Sequence, residues 1–243
     1  MSDVGRKRKT NEDALFVDDE LGLYIVADGM GGHAAGEIAS REATATIYSM
    51  IKQAVHEFGE LRSPLTDARN RAACQLMESA IQAATSIIYS MAELDRQKAG
   101  MGTTISALLL SGEYGIIGHV GDSRIYHVSG EKFEQLTEDH SLIAWQLKQG
   151  LISEEEAMVS PYRNVITRAV GNRDHVEVDT VVFPVEKNSR FLLCSDGLHG
   201  YLRSGDIVPT VSIGGENAVR QFVDLANQRG GKDNITVILV ELD

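Results

Sequence analysis

The sequence predicts an α+β domain built on antiparallel sheet, and three observations carry that expectation. Between Gly102 and Leu136 the hydrophobic pattern has a period of two, in four successive runs joined by Ser111-Gly112, Gly121-Asp122 and Ser129-Gly130. Connections this short pair neighbours antiparallel, because a parallel crossover needs a dozen or more residues. Two long upstream stretches repeat their apolar residues at helical spacing, and Leu21 to Ala27 is an apolar run that stops at Asp28-Gly29. The expected sheet is therefore a meander covered by helices, not a doubly wound one.

In chain order, Ala14 to Val17 reads as the first strand and Leu21 to Ala27 as its hairpin partner across Asp18-Asp19-Glu20. Ile38, Ala43, Ile47, Met50, Ile51, Val55 and Phe58 mark a helix from Glu37 to about Phe58. Pro64 suits a first helical turn, and Leu65 through Leu94 give a second, longer helix. The strands expected next are Thr103 to Leu110, Tyr114 to Val120, Ser123 to Val128 and Lys132 to Leu136. His140 to Gln149 is helical, with Trp145 expected to pack, and Ser153-Glu154-Glu155-Glu156 starts another helix with a capping box. The mixed stretch from about Gly150 to Arg168 is expected to form a flap. Val176 to Phe183 and Phe191 to Cys194 are strands, Glu216 to Gln228 a helix, and Ile235 to Val240 the last strand.

The 243 residues suffice for one sizeable core, so one domain over 1–243 is expected. A formal charge of −12, from 35 acidic against 23 basic side chains, argues against a nucleic-acid footprint. No run is long and apolar enough to cross a bilayer and the first residues lack a secretory signal, so a cytoplasmic chain is expected. Cys74 and Cys194 have no neighbouring Cys or His at metal-ligand spacing and read as bland thiols.

The chemistry is carried by carboxylates. Asp28, Asp196 and Asp233 each sit beside glycine or a turn at a strand end, Asp122 holds a similar place in Gly121-Asp122-Ser123, and Glu12-Asp13 precedes the first strand. One Asp-Gly turn means little, but several carboxylates meeting at one edge repel unless cations neutralise them. The pattern points to a polynuclear site, and oxygen donors suit magnesium or manganese. Two such ions about 4 Å apart can activate a shared water and clamp the oxygens of an in-line phosphoryl displacement. Rival phosphate chemistries lack their parts. Gly31-Gly32-His33-Ala34-Ala35-Gly36 has neither Rossmann spacing nor a Walker lysine, neither cysteine is followed six residues later by arginine, and no Gly-x-Ser-x-Gly elbow occurs.

The ordered set of motifs resembles the metal-dependent protein phosphatases, the type 2C serine/threonine family, in compact bacterial form. It comprises Gly5 to Asp13, Asp28-Gly29-Met30-Gly31-Gly32-His33, Gly102-Thr103-Thr104, Gly118 to Arg124, Asn164 to Gly171, Ser195-Asp196-Gly197-Leu198 and Gly231 to Thr236, which span nearly the whole chain. The resemblance implies a four-layer α-β-β-α sandwich with the metals at one end. It implies Asp28 as the carboxylate bridging two core ions, a backbone carbonyl from Gly29, and Asp196 and Asp233 on the second ion. Asp122 with Asp196 matches the ligands of a weaker third ion, and Glu12 and Asp13 match outer carboxylates that hold bound waters. Arg8 matches the phosphate-binding arginine, whose fork can clamp two oxygens. Arg6, Lys7 and Lys9 have no match and read as solvated charge. Asn234 is expected to position Asp233 through its amide.

Animal members place a histidine directly after the aspartate-glycine pair, where this chain has Met30. His33 lies three residues on, and two readings stand side by side: general acid for the leaving group, or packing and helix capping. His119 and His127 fall on strands and read as packing residues, while Asp139-His140 and Thr167-Arg168 order the flap or the metal rim. The implied reaction is hydrolysis of phosphoserine and phosphothreonine in proteins, targets of a bacterial serine/threonine kinase, by a monomer without membrane or nucleic-acid partners. A noncatalytic phosphoprotein-binding module and a small-ester or nucleotide hydrolase are the alternatives.

Overall fold

A computed structural model describes residues 1–31, 35–58 and 67–242. Two five-stranded antiparallel sheets form its centre. One has the order β10-β7-β6-β3-β2, from β2 (Ala14–Asp18), β3 (Leu23–Ala27), β6 (Ile105–Ser111), β7 (Tyr114–Val120) and β10 (Asp179–Pro184). The other has the order β1-β12-β11-β8-β9, from β1 (Ser2–Asp3), β8 (Arg124–Ser129), β9 (Lys132–Gln135), β11 (Arg190–Cys194) and β12 (Ile235–Glu241). A two-residue pair, β4 (Gly29–Met30) with β5 (Gly102–Thr103), lies beyond the end of the first sheet.

Side-chain alternation in β3 explains the layering. Leu23, Ile25 and Ala27 point outward into a cluster with Ala39, Ala43, Ile47 and Ile51 of α1 (Ala35–Phe58) and Met77, Ile81 and Ile88 of α2 (Asp67–Leu94). Tyr24 and Val26, one residue out of phase, point inward and meet Phe191, Leu193, Ile238 and Val240 of the opposite sheet. That sheet's outer face carries Leu192, Cys194 and Val237, which pack on α6 (Ser204–Ile213) and α7 (Gly215–Gln228). Ala218, Phe222, Val223 and Ala226 make the buried stripe of α7, and burying the Phe222 side chain alone contributes about 1.5–3 kcal/mol. The result is the expected four-layer α-β-β-α sandwich.

The meander expectation fails at one turn. β6 pairs with β7, and β8 with β9, but β7 and β8 belong to different sheets, so Gly121-Asp122-Ser123 carries the chain across the sandwich instead of closing a hairpin. Gly121 makes the crossing possible. Its φ is +112°, and a Cβ there would meet the Thr104 side chain at 2.5 Å. Periodicity cannot register such a change of sheet, because both strands keep their alternation.

Other differences are local. Thr103 to Leu110 divides into β5 and β6, and the expected helix from His140 begins instead at α3 (Leu142–Lys148), where the Ser141 hydroxyl accepts from Ala144 N. Trp145 does not pack inward but is 52% exposed. Helix α6 carries no helical signal in its sequence, which has Gly205 and Pro209 inside it. Burial of Ile207 and Val211, and the Asp206 carboxylate accepting from Arg203 N at 2.7 Å, decide it. Pro64 lies outside the described residues, as does His33.

Candidate metal centre

The candidate carboxylates gather because both sheets end at the same place. Asp28 follows β3, Asp122 lies in the crossing between β7 and β8, and Asp196 follows β11 at the start of the single turn α5 (Asp196–His199). Asp233 and Asp13 lead into β12 and β2, whose antiparallel neighbours β11 and β3 finish at this edge.

Each is held by its backbone. Asp28 O accepts from Thr104 N and from Thr103 Oγ1, both at 2.9 Å, and Asp28 N donates to Thr104 Oγ1 at 3.0 Å. Thr104 Oγ1 is also 2.8 Å from Ser123 Oγ, so one threonine joins the Asp28 strand end to the turn bearing Asp122. Close backbone approach places Gly29: a Cβ there would stand 2.2 Å from Gly36 O and 2.4 Å from Glu12 O, which reserves the position for glycine. Gly197 is constrained likewise, with a Cβ falling 1.8 Å from Asn234 O. Asp196 and Asp233 are brought side by side by this contact.

Asp13 is buried, and its Oδ2 accepts from Ser195 Oγ at 2.8 Å, while Ser195 Oγ accepts from Thr236 N at 3.0 Å. Asn234 ties the N-terminal loop to the same edge. Its Oδ1 accepts from Glu12 N, and its Nδ2 donates to the Val4 and Thr10 carbonyls at 3.1 and 3.0 Å. The sequence led us to expect the amide on Asp233, but its hydrogen bonds go to the loop, and the contact is made instead by Asn234 N, donating to Asp233 Oδ1 at 2.9 Å. Arg8 Nη2 is 2.8 Å from Asp233 Oδ2.

The electrostatics are those of crowded carboxylates. Burial, then Asp196 and Asp139, push the Asp122 pKa up to about 7. Burial raises Asp13 to about 6, against hydrogen bonds from Thr236 and Ser195. Asp196 is also raised to about 6, by burial and then Asp233, while a hydrogen bond with Asp28 opposes the rise. Asp28 is held well above the ordinary carboxylate range by burial and by Asp13, Asp196, Asp122 and Asp233. Glu12 is raised by burial, with Arg8 pulling it down. Six acids, Asp233 included, and one arginine leave a net demand for positive charge, and an all-oxygen donor set fits a hard divalent cation. The side chains are gathered but not closed into a cage: among the described residues no three His, Cys, Asp or Glu groups stand at metal-holding distances, since Asp233 turns to Arg8 and Asp13 to Ser195.

A match to the family model for protein phosphatase 2C extends over residues 5–237. The chain belongs to the protein phosphatase 2C family. It is a metal-dependent serine/threonine phosphatase. A serine/threonine phosphatase, stp, of Listeria monocytogenes is 38% identical over 248 residues, covering 100% of this chain and 94% of that one. The serine/threonine phosphatase PstP/Ppp of Mycobacterium tuberculosis superposes with a TM-score of 0.88 at 31% identity, covering 100% and 97% of the two chains. The catalytic domain of PstP in complex with two manganese ions gives 0.84, also at 31% identity, over 100% and 96%.

The sequence pattern assigns no role to His199 or Arg124, and it places Asp139-His140 and Thr167-Arg168 at the flap or metal rim without naming their partners. His199 Nε2 donates to Asp122 O at 2.9 Å and so links α5 to the crossing turn. His140 holds the other side of that turn, with Nδ1 accepting from Gly121 N at 3.1 Å, its own N donating to Gly121 O, and Nε2 donating to Asp179 Oδ2 at 3.0 Å. Arg168 joins Asp179 at 2.8 Å, and Arg124 grips Asp139 through Nε and Nη2 at 2.8 and 2.6 Å. Thr167 N donates to His140 O and Leu142 N to Val165 O, so the end of the 150–168 stretch is stitched to this network. The stretch also contains α4 (Glu154–Val159), with its capping box at Ser153, and exposes Leu151, Met158, Val159 and Tyr162. A cavity of about 570 Å³ separates it from the carboxylates, with Met158 and Arg163 on one side and Tyr201, Lys232 and Asp233 on the other. No described helix is long and apolar enough to cross a membrane.

Proposed function

We propose that residues 1–243 act as one catalytic domain that hydrolyses phosphoserine and phosphothreonine esters in proteins, with 150–168 as its flap. The substrates in this reading are phosphoproteins made by a bacterial serine/threonine kinase. Two core Mn2+ or Mg2+ ions would be held by Asp28, the Gly29 carbonyl, Asp196 and Asp233, and a weaker third by Asp122 with Asp196. When bound, such ions lower the pKa of water and neutralise phosphoryl oxygens. The observation supporting this most strongly is that five carboxylates from four separate chain segments meet at one sandwich edge, their pKa values raised by burial and by neighbouring acids.

The chain's own residues supply the rest. Arg8, exposed at the same edge, offers two parallel donors to a phosphate once its bond to Asp233 is released. Asp13 and Glu12 face the site as acceptors for waters, with Asp13 oriented by Ser195. Asn234 keeps the Arg8 loop in register with Asp233.

The test is phosphate release from a phosphothreonine peptide by metal-stripped protein titrated with Mn2+ and Mg2+, beside Asp28→Asn and Asp196→Asn. Metal-dependent turnover that falls about 100-fold or more in both variants, with metal affinity lowered by calorimetry, supports the ligand assignment. A folded, metal-loaded protein without turnover would favour a phosphoprotein-binding module.

A further inference from the structure

The basic run Arg6-Lys7-Arg8-Lys9 is only partly accounted for by Arg8. In the fold, this run is not a free tail. Arg6 N donates to Gly231 O at 2.7 Å, the Asn234 amide holds the carbonyls of Val4 and Thr10 on either side of the run, and Arg8 closes on Asp233. Arg6 also lies against Gly231, where a Cβ would stand 2.8 Å from Arg6 Cγ. Gly231 precedes Lys232, which lines the cavity beside Asp233. Four exposed cations, Arg6, Lys7, Lys9 and Lys232, thus sit on two chain segments held together beside the site, and among the described residues none has a carboxylate within ion-pair distance.

That concentration is unusual for a chain with 35 acidic and 23 basic side chains. The nearby carboxylates do not neutralise it. Asp139 is taken by Arg124, Asp3 accepts from Gly5 N and the Asn227 amide, and Asp122, Asp196 and Asp233 line the cavity. A phosphoryl group delivered to Arg8 and the metal edge brings its flanking residues past these cations. Resting on the phosphoprotein phosphatase reading above, we infer that Arg6, Lys7, Lys9 and Lys232 form a docking rim for acidic residues beside the phosphorylated residue, and select phosphoprotein segments rich in Asp and Glu. The overall charge of −12 opposes nucleic acid and anionic lipid, which would have to approach the whole surface; a short acidic segment meets only the rim.

The experiment compares two phosphothreonine peptides that differ only in carrying Glu or Gln around the phosphoresidue, with p-nitrophenyl phosphate as a substrate that has no flanks. With Mn2+-loaded wild type at low salt, kcat/KM for the Glu peptide should exceed that for the Gln peptide about tenfold, and the ratio should shrink toward one in about 0.5 M salt. Lys232→Gln and the double variant Lys7→Gln, Lys9→Gln should each lower the ratio about threefold, the scale of one exposed ion pair. A wild-type ratio at or below one, or a ratio that neither variant changes, overturns the docking rim while p-nitrophenyl phosphate turnover still upholds the phosphatase. Absence of metal-dependent turnover of all three substrates by the wild type overturns the phosphatase reading and the rim with it.

Discussion

Arg8 Nη2 stands 2.8 Å from Asp233 Oδ2, which joins the residue that matches a phosphate clamp to one that matches a metal ligand, across 225 positions of sequence. The two side chains are 49% and 32% exposed, so solvent screens the pair and its net contribution is at most about 1 kcal/mol. A bond this weak is readily exchanged. Under the proposed function, a cation arriving at Asp233 would compete with Arg8 and free the guanidinium to face phosphate.

Arg8→Ala should therefore act in opposite directions on its two partners. Affinity for Mn2+ in the absence of substrate should rise by up to about fivefold, the worth of an exposed ion pair, while KM for a phosphopeptide rises about tenfold. Arg8→Lys should recover little of the KM, because an ammonium cannot reproduce the two-pronged contact. Calorimetric Mn2+ titration and steady-state kinetics measure the two effects separately.

The metal-free protein should lose stability as pH rises. Asp122 is raised from 3.8 to about 7, and Asp13 and Asp196 to about 6, so between about pH 4 and 7 the folded state keeps protons that the unfolded chain has released. With more protons bound in the native state, unfolding free energy falls with increasing pH across that window. In EDTA the melting temperature should be lower at pH 7.5 than at pH 5, and Mn2+ should raise it more at pH 7.5. Thermal melts at the two pH values, with and without metal, read this directly.

Ser195→Ala removes the hydroxyl that donates to Asp13 and accepts from Thr236 N. Both partners are buried, so stability should fall by about 1–3 kcal/mol in urea unfolding, and Asp13 should titrate still higher.

Gly29→Ala should be among the most damaging small substitutions, because its added methyl meets the carbonyls of Gly36 and Glu12 at 2.2 and 2.4 Å. Backbone on both sides cannot yield without moving α1 away from the end of β3, at a cost of about 3 kcal/mol or more. Gly130→Ala is the matched control, since no atom lies within 4 Å of its added methyl and only its φ of +59° is unfavourable.

His199→Ala should loosen the crossing turn by removing the donor to Asp122 O. The expected result is weaker binding of the last divalent ion in a titration, about tenfold, with His199→Gln restoring part of it through an amide donor.

Much of this architecture was legible before any coordinates. The alternation of Leu23 to Ala27 and the stripes of α1 and α2 are local patterns, and an apolar strand stopping at Asp28-Gly29 marks its own end. The crossing at Gly121 left no trace, because a strand that changes sheets keeps its period of two. Helix α6 was hidden by Gly205 and Pro209, whose unfavourable propensities are overcome by burial of Ile207 and Val211.

The same division holds for the site. Residue identity alone determined which groups can bind cations and phosphate, since Asp28, Asp122, Asp196, Asp233 and Arg8 are oxygen donors and a guanidinium wherever they lie. Tertiary structure decided their partners: Asp233 with Arg8, Asp13 with Ser195, the Asn234 amide with the N-terminal loop, and His199 with the Asp122 turn. Those pairings depend on the relative position of strands far apart in sequence, which is set when two sheets bury a shared core and their ends are brought to one edge.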